Sequence, residues 1–149
     1  MRILLVRHGE SMGNVDVDVH RTMADHAIPL SDRGRAQAVA TGEWLNDYFG
    51  DEEGLVPLRL WQSPYKRTRE TADGLIAGID ERWIESRREH ILLCEQQFGL
   101  FDGVPDDELP KRYPNEHEHY AKQEAFEGRF WARMPLGESR FDVATRVHQ

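Results

Sequence analysis

MRILLVRHGESMGN, residues 1–14, joins a short apolar run to a turn that carries an arginine, a histidine and a glycine. The run contains two β-branched residues and stops at a glycine, a pattern that predicts a buried strand over residues 2–7. Open α/β sheets place ligands at the loops that leave the carboxyl ends of their strands. We therefore expect Arg7 and His8 to lie side by side at the mouth of a site.

The composition is that of a folded domain with an acidic surface. The chain has 149 residues, 31% of them charged and 39% hydrophobic, which is enough for one domain with a sizeable core. Its formal net charge is −8. Nucleic acids and anionic membranes bind basic surfaces, so neither is expected as a partner. An anionic substrate would need a few local arginines to overcome the overall repulsion.

Cysteine usage and apolar runs bear on the cellular compartment. Cys94 is the single cysteine, so no internal disulfide can form, which fits a reducing cytoplasm. The apolar opening is shorter than the core of a signal peptide, and no run approaches the length that spans a membrane. We expect a cytoplasmic protein that does not insert into a membrane.

Secondary-structure signals in the first third of the chain predict a long loop and then a helix. Residues 13–30 show no helical period and are predicted as the loop. Ser31 is a candidate N-cap for a helix that closes at Gly50. The apolar stripe of this helix is predicted to consist of Ala36, Val39, Ala40, Leu45, Tyr48 and Phe49.

Strand and helix signals then alternate. Residues 55–63 predict a second strand, followed by a helix with Ser63 as its cap and Pro64 at its first position. A third strand is predicted at residues 90–94. The buried face of the helix between these strands is predicted to consist of Ala72, Leu75 and Ile76.

The remainder of the chain is mostly helical by pattern. Prolines break residues 104–130 into short helical pieces, and Ser139 can cap a C-terminal helix. Alternating strands and helices indicate an α/β fold with a parallel sheet.

Two strand ends carry the residues that suggest chemistry. The first ends in Arg7 and His8, and the second ends at Ser63, with Arg67 one helical turn farther on. Because parallel strands end at one edge of a sheet, these side chains could share a pocket. Guanidinium groups bind pairs of phosphoryl oxygens and stay charged at any working pH. Nearby cations disfavour a protonated imidazole, and a neutral ring nitrogen is a nucleophile toward phosphorus.

Five blocks of the sequence resemble, in order, the motifs of the histidine phosphatase superfamily, also called phosphoglycerate mutase-like. They are LLVRHGESMGN (4–14), LSDRGRAQA (30–38), SPYKRTRETA (63–72), LCEQQFGLFDG (93–103) and PLGES (135–139). The resemblance extends over nearly the whole chain. It implies a three-layer α/β fold, in which helices flank a mainly parallel central sheet, for a single domain over residues 1–149. It also implies that residues 104–135 form an insertion that covers the pocket.

The resemblance also implies a two-step phosphoryl transfer with no metal and no cofactor. His8 would attack phosphorus and become phosphohistidine, while Arg7 and Arg67 neutralise the phosphoryl oxygens. Asn14 would donate a hydrogen bond to the phosphate. Glu95 would protonate the leaving alkoxide and then activate the water that releases phosphate. Glu95 follows an apolar run, so we expect apolar surroundings for its carboxyl group.

Further residues remain open to two interpretations. His20 and Arg21 lie in the loop where relatives contact their substrates, and a solvated loop is the equal alternative. Asp16 and Asp18 could be taken for a metal-binding pair, but they do not follow an apolar strand. We expect them to belong to a solvated loop, and we assign no metal site.

The phosphatase branch of the family fits better than the mutase branch. Mutases resemble a pattern with an aromatic-Gly-Trp stretch after the opening motif, an arginine after the catalytic glutamate and a later arginine pair. Here Gln96 follows Glu95, and residues 104–135 contain no arginine pair. We therefore expect hydrolysis of a small phosphorylated substrate. Phosphoglycerate mutase-type transfer and a non-catalytic phospho-ligand binder or pseudoenzyme are the alternatives.

One family feature has no counterpart in the sequence. The family has a second histidine at the end of another apolar strand, and neither His90 nor His148 stands in such a context. We interpret the chain as a family member that stops before that strand, so its C-terminal part is missing. Without the strand, residues 2–7 would have an uncovered apolar flank. We expect such a chain to have very low activity and to dimerise, swap segments or aggregate.

Overall fold

The computed structural model describes residues 2–50 and 57–149, which fall into two compact units, Met1–Cys94 and Glu95–Gln149. The first unit contains α1 (Met12–Val15), α2 (Val19–Thr22), α3 (Asp32–Phe49), β1 (Leu58–Gln62), α4 (Lys66–Gly78) and β2 (Ile84–Glu89). The second contains α5 (Leu109–Arg112), α6 (Pro114–Glu127) and α7 (Arg140–Val147).

Strands β1 and β2 form a parallel pair, in a register that runs from Leu58 opposite Ile84 to Gln62 opposite Glu89. The crossover between them is α4, as a parallel connection requires. The predicted α/β class with a parallel sheet and flanking helices is therefore confirmed. The predicted second strand is present over Leu58–Gln62, and residues 55–56 of that prediction lie outside the described residues.

The third strand was predicted in the wrong place. It is β2, whereas Ile91–Leu93 form a 3-10 turn. The sequence of β2, IESRRE, has one apolar residue, and its charged side chains are solvent-exposed. Arg59 of β1 pairs across the sheet with Glu85. An exposed edge strand needs no alternation of apolar residues. The sequence pattern that is typical of buried strands therefore does not identify β2.

The strand predicted at residues 2–7 is absent from the structure. These residues belong to no strand, and Ile3 and Leu5 are 69% and 95% exposed. An apolar run becomes a buried strand only when neighbouring strands supply its hydrogen bonds and cover its faces. Within the described residues, the ladder consists of β1 and β2 alone.

Helix α3 starts and stops as predicted, but it buries a different face. The Ser31 hydroxyl accepts a hydrogen bond from the Gly34 amide at 3.0 Å, and Gly50 ends the helix with a φ of 48°. That φ value favours glycine, because glycine has no Cβ that would clash in this conformation. Contrary to the predicted stripe, Ala36, Ala40 and Tyr48 are exposed. The buried residues are Gly34, Ala38, Gly42, Leu45 and Phe49.

Small residues explain this choice of face, because α3 packs very closely on α4. A Cβ placed on Gly42 would lie 2.1 Å from the Leu75 carbonyl oxygen, and one on Gly78 would lie 2.2 Å from the Val39 carbonyl oxygen. The crossing helices approach to backbone contact at these points. Beside the crossing, a core cluster is formed by Leu45, Phe49, Leu75, Ile79 and Trp83, with Leu58, Leu60 and Ile84 of the strands packed against it.

Two further local predictions need correction. The segment predicted as a loop, residues 13–30, contains α1, α2 and a 3-10 turn at Asp25–Ala27. An antiparallel bridge between Ser11 and Leu30 closes it. Helix α4 begins at Lys66 with Tyr65 as its N-cap, so Ser63 and Pro64 precede the helix.

The second unit follows its sequence signals closely. Pro114 opens α6, where its missing N–H costs no hydrogen bond. Ser139 caps α7 as predicted, and its hydroxyl and the Asp142 carboxylate form a capping box. In the described part of the chain, no helix combines the length and the apolar character needed to cross a bilayer.

Candidate active site

The turn at residues 7–10 is fastened to the two long helices of the first unit. The buried Gly9 amide donates to the Thr71 hydroxyl of α4 at 3.1 Å. The Glu10 amide donates to the Gln37 side chain of α3 at 2.9 Å. Gln37 belongs to the second and Thr71 to the third of the sequence blocks that carry the family resemblance. Those blocks therefore hold the first block in place.

Glycine at position 9 meets a close approach to α3. A Cβ on Gly9 would lie 2.4 Å from the Gly34 carbonyl oxygen. The Ser31 hydroxyl, which caps α3, also donates to the Glu10 carboxylate at 2.7 Å. The start of α3 thus constrains the path of the backbone just after His8.

The proton of His8 is placed by the turn itself. Its Nδ1 lies 2.7 Å from the Gly9 carbonyl oxygen, and a carbonyl can only accept a hydrogen bond. Nδ1 must therefore carry the proton, so in the neutral ring Nε2 carries the lone pair. The side chain is half-buried, and that of the neighbouring Arg7 is exposed.

Asn14 supports the turn that follows. Its side-chain oxygen accepts hydrogen bonds from the Ser11 amide and the Ser11 hydroxyl, both at 3.0 Å. This reciprocal cap starts α1. Since the oxygen serves Ser11, a phosphate contact made by Asn14 would come from its amide nitrogen.

Arg67 is the buried cation of the first unit. Its side chain is only 7% exposed, and it lies in the first turn of α4. Nη1 and Nη2 donate to the two carboxylate oxygens of Asp25 at 2.8 and 3.3 Å. Thr71, which receives the Gly9 amide, donates to the Arg67 carbonyl oxygen at 2.7 Å. The histidine turn and the Arg67 helix are thus joined by consecutive hydrogen bonds.

The remaining predicted contacts of this unit differ in exposure. His20 is half-buried, and its Nδ1 lies 3.9 Å from the Asp25 carboxylate. Arg21 is exposed and pairs with Asp18 at 3.3 Å. The structure therefore brings His20 near the Asp25–Arg67 pair, while Arg21 lies on the solvent side of α2.

Glu95 belongs to the second unit, where it is exposed rather than in apolar surroundings. The expectation of an apolar environment was wrong because the preceding residues form a turn, in which Ile91 and Leu93 are themselves exposed. The Glu95 carbonyl oxygen accepts a hydrogen bond from Arg146 of α7 at 3.2 Å. The backbone at Glu95 is therefore anchored, although its carboxylate faces solvent.

The PLGES block (135–139) holds this segment. Glu138 accepts two hydrogen bonds from Arg146, at 2.9 and 3.1 Å, and one from the Gln97 amide at 3.0 Å. The Arg146 guanidinium, helped by the Gln97 amide, holds the pKa of the Glu138 carboxyl below its ordinary value. The Glu138 amide in turn donates to the Gln97 carbonyl oxygen at 2.8 Å. The block thus acts as a clamp on the residues just after Glu95.

Sequence reasoning did not single out Asp25 or Glu70. Asp25 binds Arg67, and the Glu70 carboxylate accepts hydrogen bonds from the Leu30 amide at 2.7 Å and from Arg35 at 2.8 Å. Both acidic residues lie in polar stretches of the sequence, which are typical of a solvated surface. No local pattern marks them, because their partners are more than 30 residues away in the sequence.

The segment predicted to cover the pocket, residues 104–135, forms most of a cleft in the second unit. The cleft has a volume of about 450 Å³, and its wall includes Glu116 and His119 of α6 and Met134. Within residues 2–50 and 57–149, no three His, Cys, Asp or Glu side chains are grouped to hold a metal ion.

Comparison with known families and relatives places this geometry in context. A model of the histidine phosphatase superfamily (branch 1) matches residues 3–149. A phosphoglycerate mutase-like protein of Arabidopsis thaliana is 36% identical over 151 residues, which cover 98% of this chain and 50% of the relative. A second such protein of that plant is also 36% identical, and 44% of its length is covered. The chain thus spans about half the length of these curated relatives.

Solved structures show the same fold. The mycobacterial glucosyl-3-phosphoglycerate phosphatase in complex with inorganic phosphate is similar, with a TM-score of 0.62 and 27% identity over 95% of this chain and 56% of that chain. The alpha-ribazole phosphatase from Shigella flexneri has a TM-score of 0.65 and 23% identity, covering 96% of this chain and 61% of that one. The second likeness concerns the fold alone.

Proposed function

Because the chain belongs to the histidine phosphatase superfamily, we propose that it hydrolyses phosphomonoesters without a metal ion, through a phosphohistidine formed at His8. The observation that carries this proposal is the fastening of Gly9 to Thr71, one turn along α4 from Arg67. It ties a nucleophile and a buried guanidinium to one rigid frame. Rigid placement of reacting groups is a large part of phosphoryl-transfer catalysis.

In the first step, Nε2 of His8 attacks phosphorus and the ester oxygen departs. The contact between Nδ1 and the Gly9 carbonyl supports this assignment, because in the neutral ring it leaves the lone pair on the attacking nitrogen. Arg7 and Arg67 bind the non-bridging oxygens, and the Asn14 amide adds a donor. These cationic and polar groups stabilise the charge that a metal ion balances in other phosphoryl-transfer enzymes.

Glu95 is the acid in the first step and the base in the second. An alkoxide is a poor leaving group near neutral pH, so a proton must reach the ester oxygen as the bond breaks. The same carboxylate then takes a proton from the water that attacks phosphohistidine, which restores His8 and releases inorganic phosphate. The clamp that Glu138 and Arg146 form on this segment supports a fixed position for the Glu95 backbone.

The test is to trap the intermediate. The protein is incubated with a phosphomonoester that carries labelled phosphate and is quenched in base, in which phosphohistidine persists. We expect label that is released by acid, and no label in His8→Ala. His148→Ala changes an exposed histidine that follows α7 and serves as the matched control, which should label normally. Label that persists in His8→Ala would contradict the assignment of the nucleophile.

The same experiment separates the alternatives. Transfer of the label to a second hydroxyl compound, in preference to water, would favour phosphoglycerate mutase-type transfer. Phosphate binding without any labelled protein would favour a non-catalytic phospho-ligand binder. We propose a small phosphorylated molecule as the substrate, since the similar glucosyl-3-phosphoglycerate phosphatase is named for such a compound.

A further inference from the structure

We propose that Asp25 is a positioning residue, which fixes the guanidinium of Arg67 in the orientation that binds the phosphoryl group. The inference rests on the proposed function. It adds a residue that lies outside the sequence motifs by which the chain resembles its family. Asp25 lies in the segment between Ser11 and Leu30. An antiparallel bridge between these two residues closes the segment next to the turn at residues 7–10, which is called the catalytic turn below.

The geometry defines the orientation of Arg67 in two ways. Nη1 and Nη2 of Arg67 face the two carboxylate oxygens of Asp25, at 2.8 and 3.3 Å, so the planes of the two groups are coupled. Nη1 also donates to the Asp25 carbonyl oxygen at 2.8 Å. A single carboxylate contact would allow the guanidinium to pivot, whereas side-chain and main-chain acceptors of one residue together fix both its plane and its rotation.

Packing restricts the same group from a second side. The guanidinium carbon of Arg67 lies 4.9 Å from the centre of the Tyr65 ring, a cation–π arrangement. Tyr65 is the N-cap of α4, so this ring is set by the helix that carries Arg67. Asp25 therefore contacts the Arg67 guanidinium from a segment outside α4.

Burial gives Asp25 a second role. The Arg67 side chain is only 7% exposed, so its guanidinium needs a partner of opposite charge, because the charge is otherwise poorly solvated. The Asp25 side chain is 23% exposed, so the pair extends from the interior toward solvent. A donor array that is fixed before the substrate arrives requires little reorganisation during the reaction.

The contacts argue against a carboxylate that blocks the site and leaves when substrate binds. Departure of Asp25 would break the main-chain contact as well as the two carboxylate contacts, and would leave a buried cation. A gating role predicts tighter phosphate binding when Asp25 is removed, and a positioning role predicts weaker binding. The two roles therefore differ in the sign of one measured change.

The experiment compares Asp25→Asn with Asp73→Asn. Asp73 pairs with Arg87 on the exposed side of α4, so its variant also loses an aspartate–arginine pair, but one away from the catalytic turn. We measure kcat and KM for p-nitrophenyl phosphate, the inhibition constant of inorganic phosphate, and thermal unfolding. For Asp25→Asn we expect roughly a 10- to 100-fold loss of kcat/KM, because small misplacements of catalytic groups have effects of this size. Phosphate inhibition should weaken in parallel, and Asp73→Asn should keep the kinetics of the unaltered protein.

A double variant shows whether Asp25 acts through Arg67. In an Arg67→Ala background, Asp25→Asn should cause less than a twofold further loss, since the group that it positions is gone. If Asp25→Asn does not fold at the assay temperature, Asp25→Glu takes its place. It keeps the charge and moves it by one methylene, and the same weakening is expected.

Three results would overturn the inference. The first is a kcat/KM within twofold of the unaltered protein in folded Asp25 variants. The second is tighter phosphate inhibition in these variants. The third is an Asp25→Asn loss of kcat/KM that is equal with and without Arg67. Any of these, with an active unaltered protein, leaves the proposed function intact. An unaltered protein that neither hydrolyses the ester nor binds phosphate would overturn the proposed function, and this inference with it.

Discussion

A single backbone contact decides what His8 can do. With Nδ1 donating to the Gly9 carbonyl, the neutral ring has its lone pair on Nε2. Gly9 belongs to the same turn, where a Cβ would lie 2.4 Å from the Gly34 carbonyl oxygen. The Thr71 hydroxyl and the Gln37 side chain accept hydrogen bonds from the amides of this turn, so under the proposed mechanism they help to hold His8 in position.

Arg67→Ala should weaken the binding of inorganic phosphate or vanadate by about 2–4 kcal/mol, as expected when one partner of a buried charge pair is removed. Arg69→Ala removes an exposed arginine of the same helix, which pairs with Glu89, and should leave the affinity unchanged. Calorimetric titration measures both. A loss of activity with EDTA that Mg²⁺ restores would contradict binding by arginines alone.

Glu95→Gln should reduce the turnover of alkyl phosphates by about 100-fold or more, because their leaving group needs a proton. Turnover of p-nitrophenyl phosphate should fall far less, since nitrophenolate leaves without protonation. Glu127→Gln, at the exposed end of α6, is the control. Steady-state kinetics with both substrates decides the matter, and equal losses on the two would rule out the acid role.

At the scale of elements, the packing of α3 on α4 is set by glycines rather than by an apolar stripe. Gly42 and Gly78 allow the backbones of α3 and α4 to touch. This packing brings the start of α3 and the Arg67 end of α4 close to the turn at residues 7–10. The turn at residues 7–10 is hydrogen-bonded to both helices, so their separation affects where His8 lies.

Gly42→Ala should therefore destabilise the protein by about 1–3 kcal/mol through overpacking, although alanine favours helix formation. A Cβ at this position has no room, since it would lie 2.1 Å from a carbonyl oxygen of α4. Ala40→Ser, on the exposed side of α3, should change the free energy of unfolding by no more than about 0.5 kcal/mol. Urea denaturation measures both, and a stabilising Gly42→Ala would refute the close approach.

The clamp on the Glu95 segment should depend on pH. Its contact with Arg146 lowers the pKa of Glu138 in the folded protein, so the unfolded chain binds more protons in acid. The stability that this carboxylate contributes is present above its ordinary pKa, about 4.3, and is lost as the pH falls through its lower folded value.

In urea denaturation over a pH series, Glu138→Gln should accordingly show a smaller loss of stability between neutral pH and pH 3 than the unaltered protein. Glu127→Gln removes an exposed carboxylate and should leave the pH dependence as it was. A pH dependence in Glu138→Gln as steep as that of the unaltered protein would mean that other groups account for it.

At the scale of the whole molecule, the exposed apolar segment at residues 2–6 should govern association. Leu5 is 95% exposed and Ile3 is 69% exposed, and extended apolar segments without a ladder recruit partners. We expect the 149-residue chain to self-associate. Leu5→Lys should reduce this, whereas Val17→Lys, at another exposed apolar site, should not. Light scattering over a concentration series tests the prediction, and a stable monomer would contradict it.

The sequence by itself determined the family, the α/β class and the elements with strong local signals. The caps at Ser31 and Ser139 and the stop at Gly50 were predictable, because capping involves residues only a few positions apart. Strand β1 was also predictable, because it lies in a short run rich in apolar residues. The motif blocks likewise indicated His8, Arg7, Arg67, Asn14 and Glu95 before any coordinate was known, and their catalytic roles stay predictions.

Tertiary structure alone decided where apolar residues were covered and which distant groups met. The apolar run at residues 2–7 resembles a buried strand, yet burial requires neighbouring strands that a local pattern does not report. The polar β2 is a strand because β1 pairs with it, and Asp25 matters because Arg67, 42 residues away, needs its charge. Local signals act over one or two turns of chain, whereas burial and ion pairing depend on contacts between segments that only the folded chain brings together.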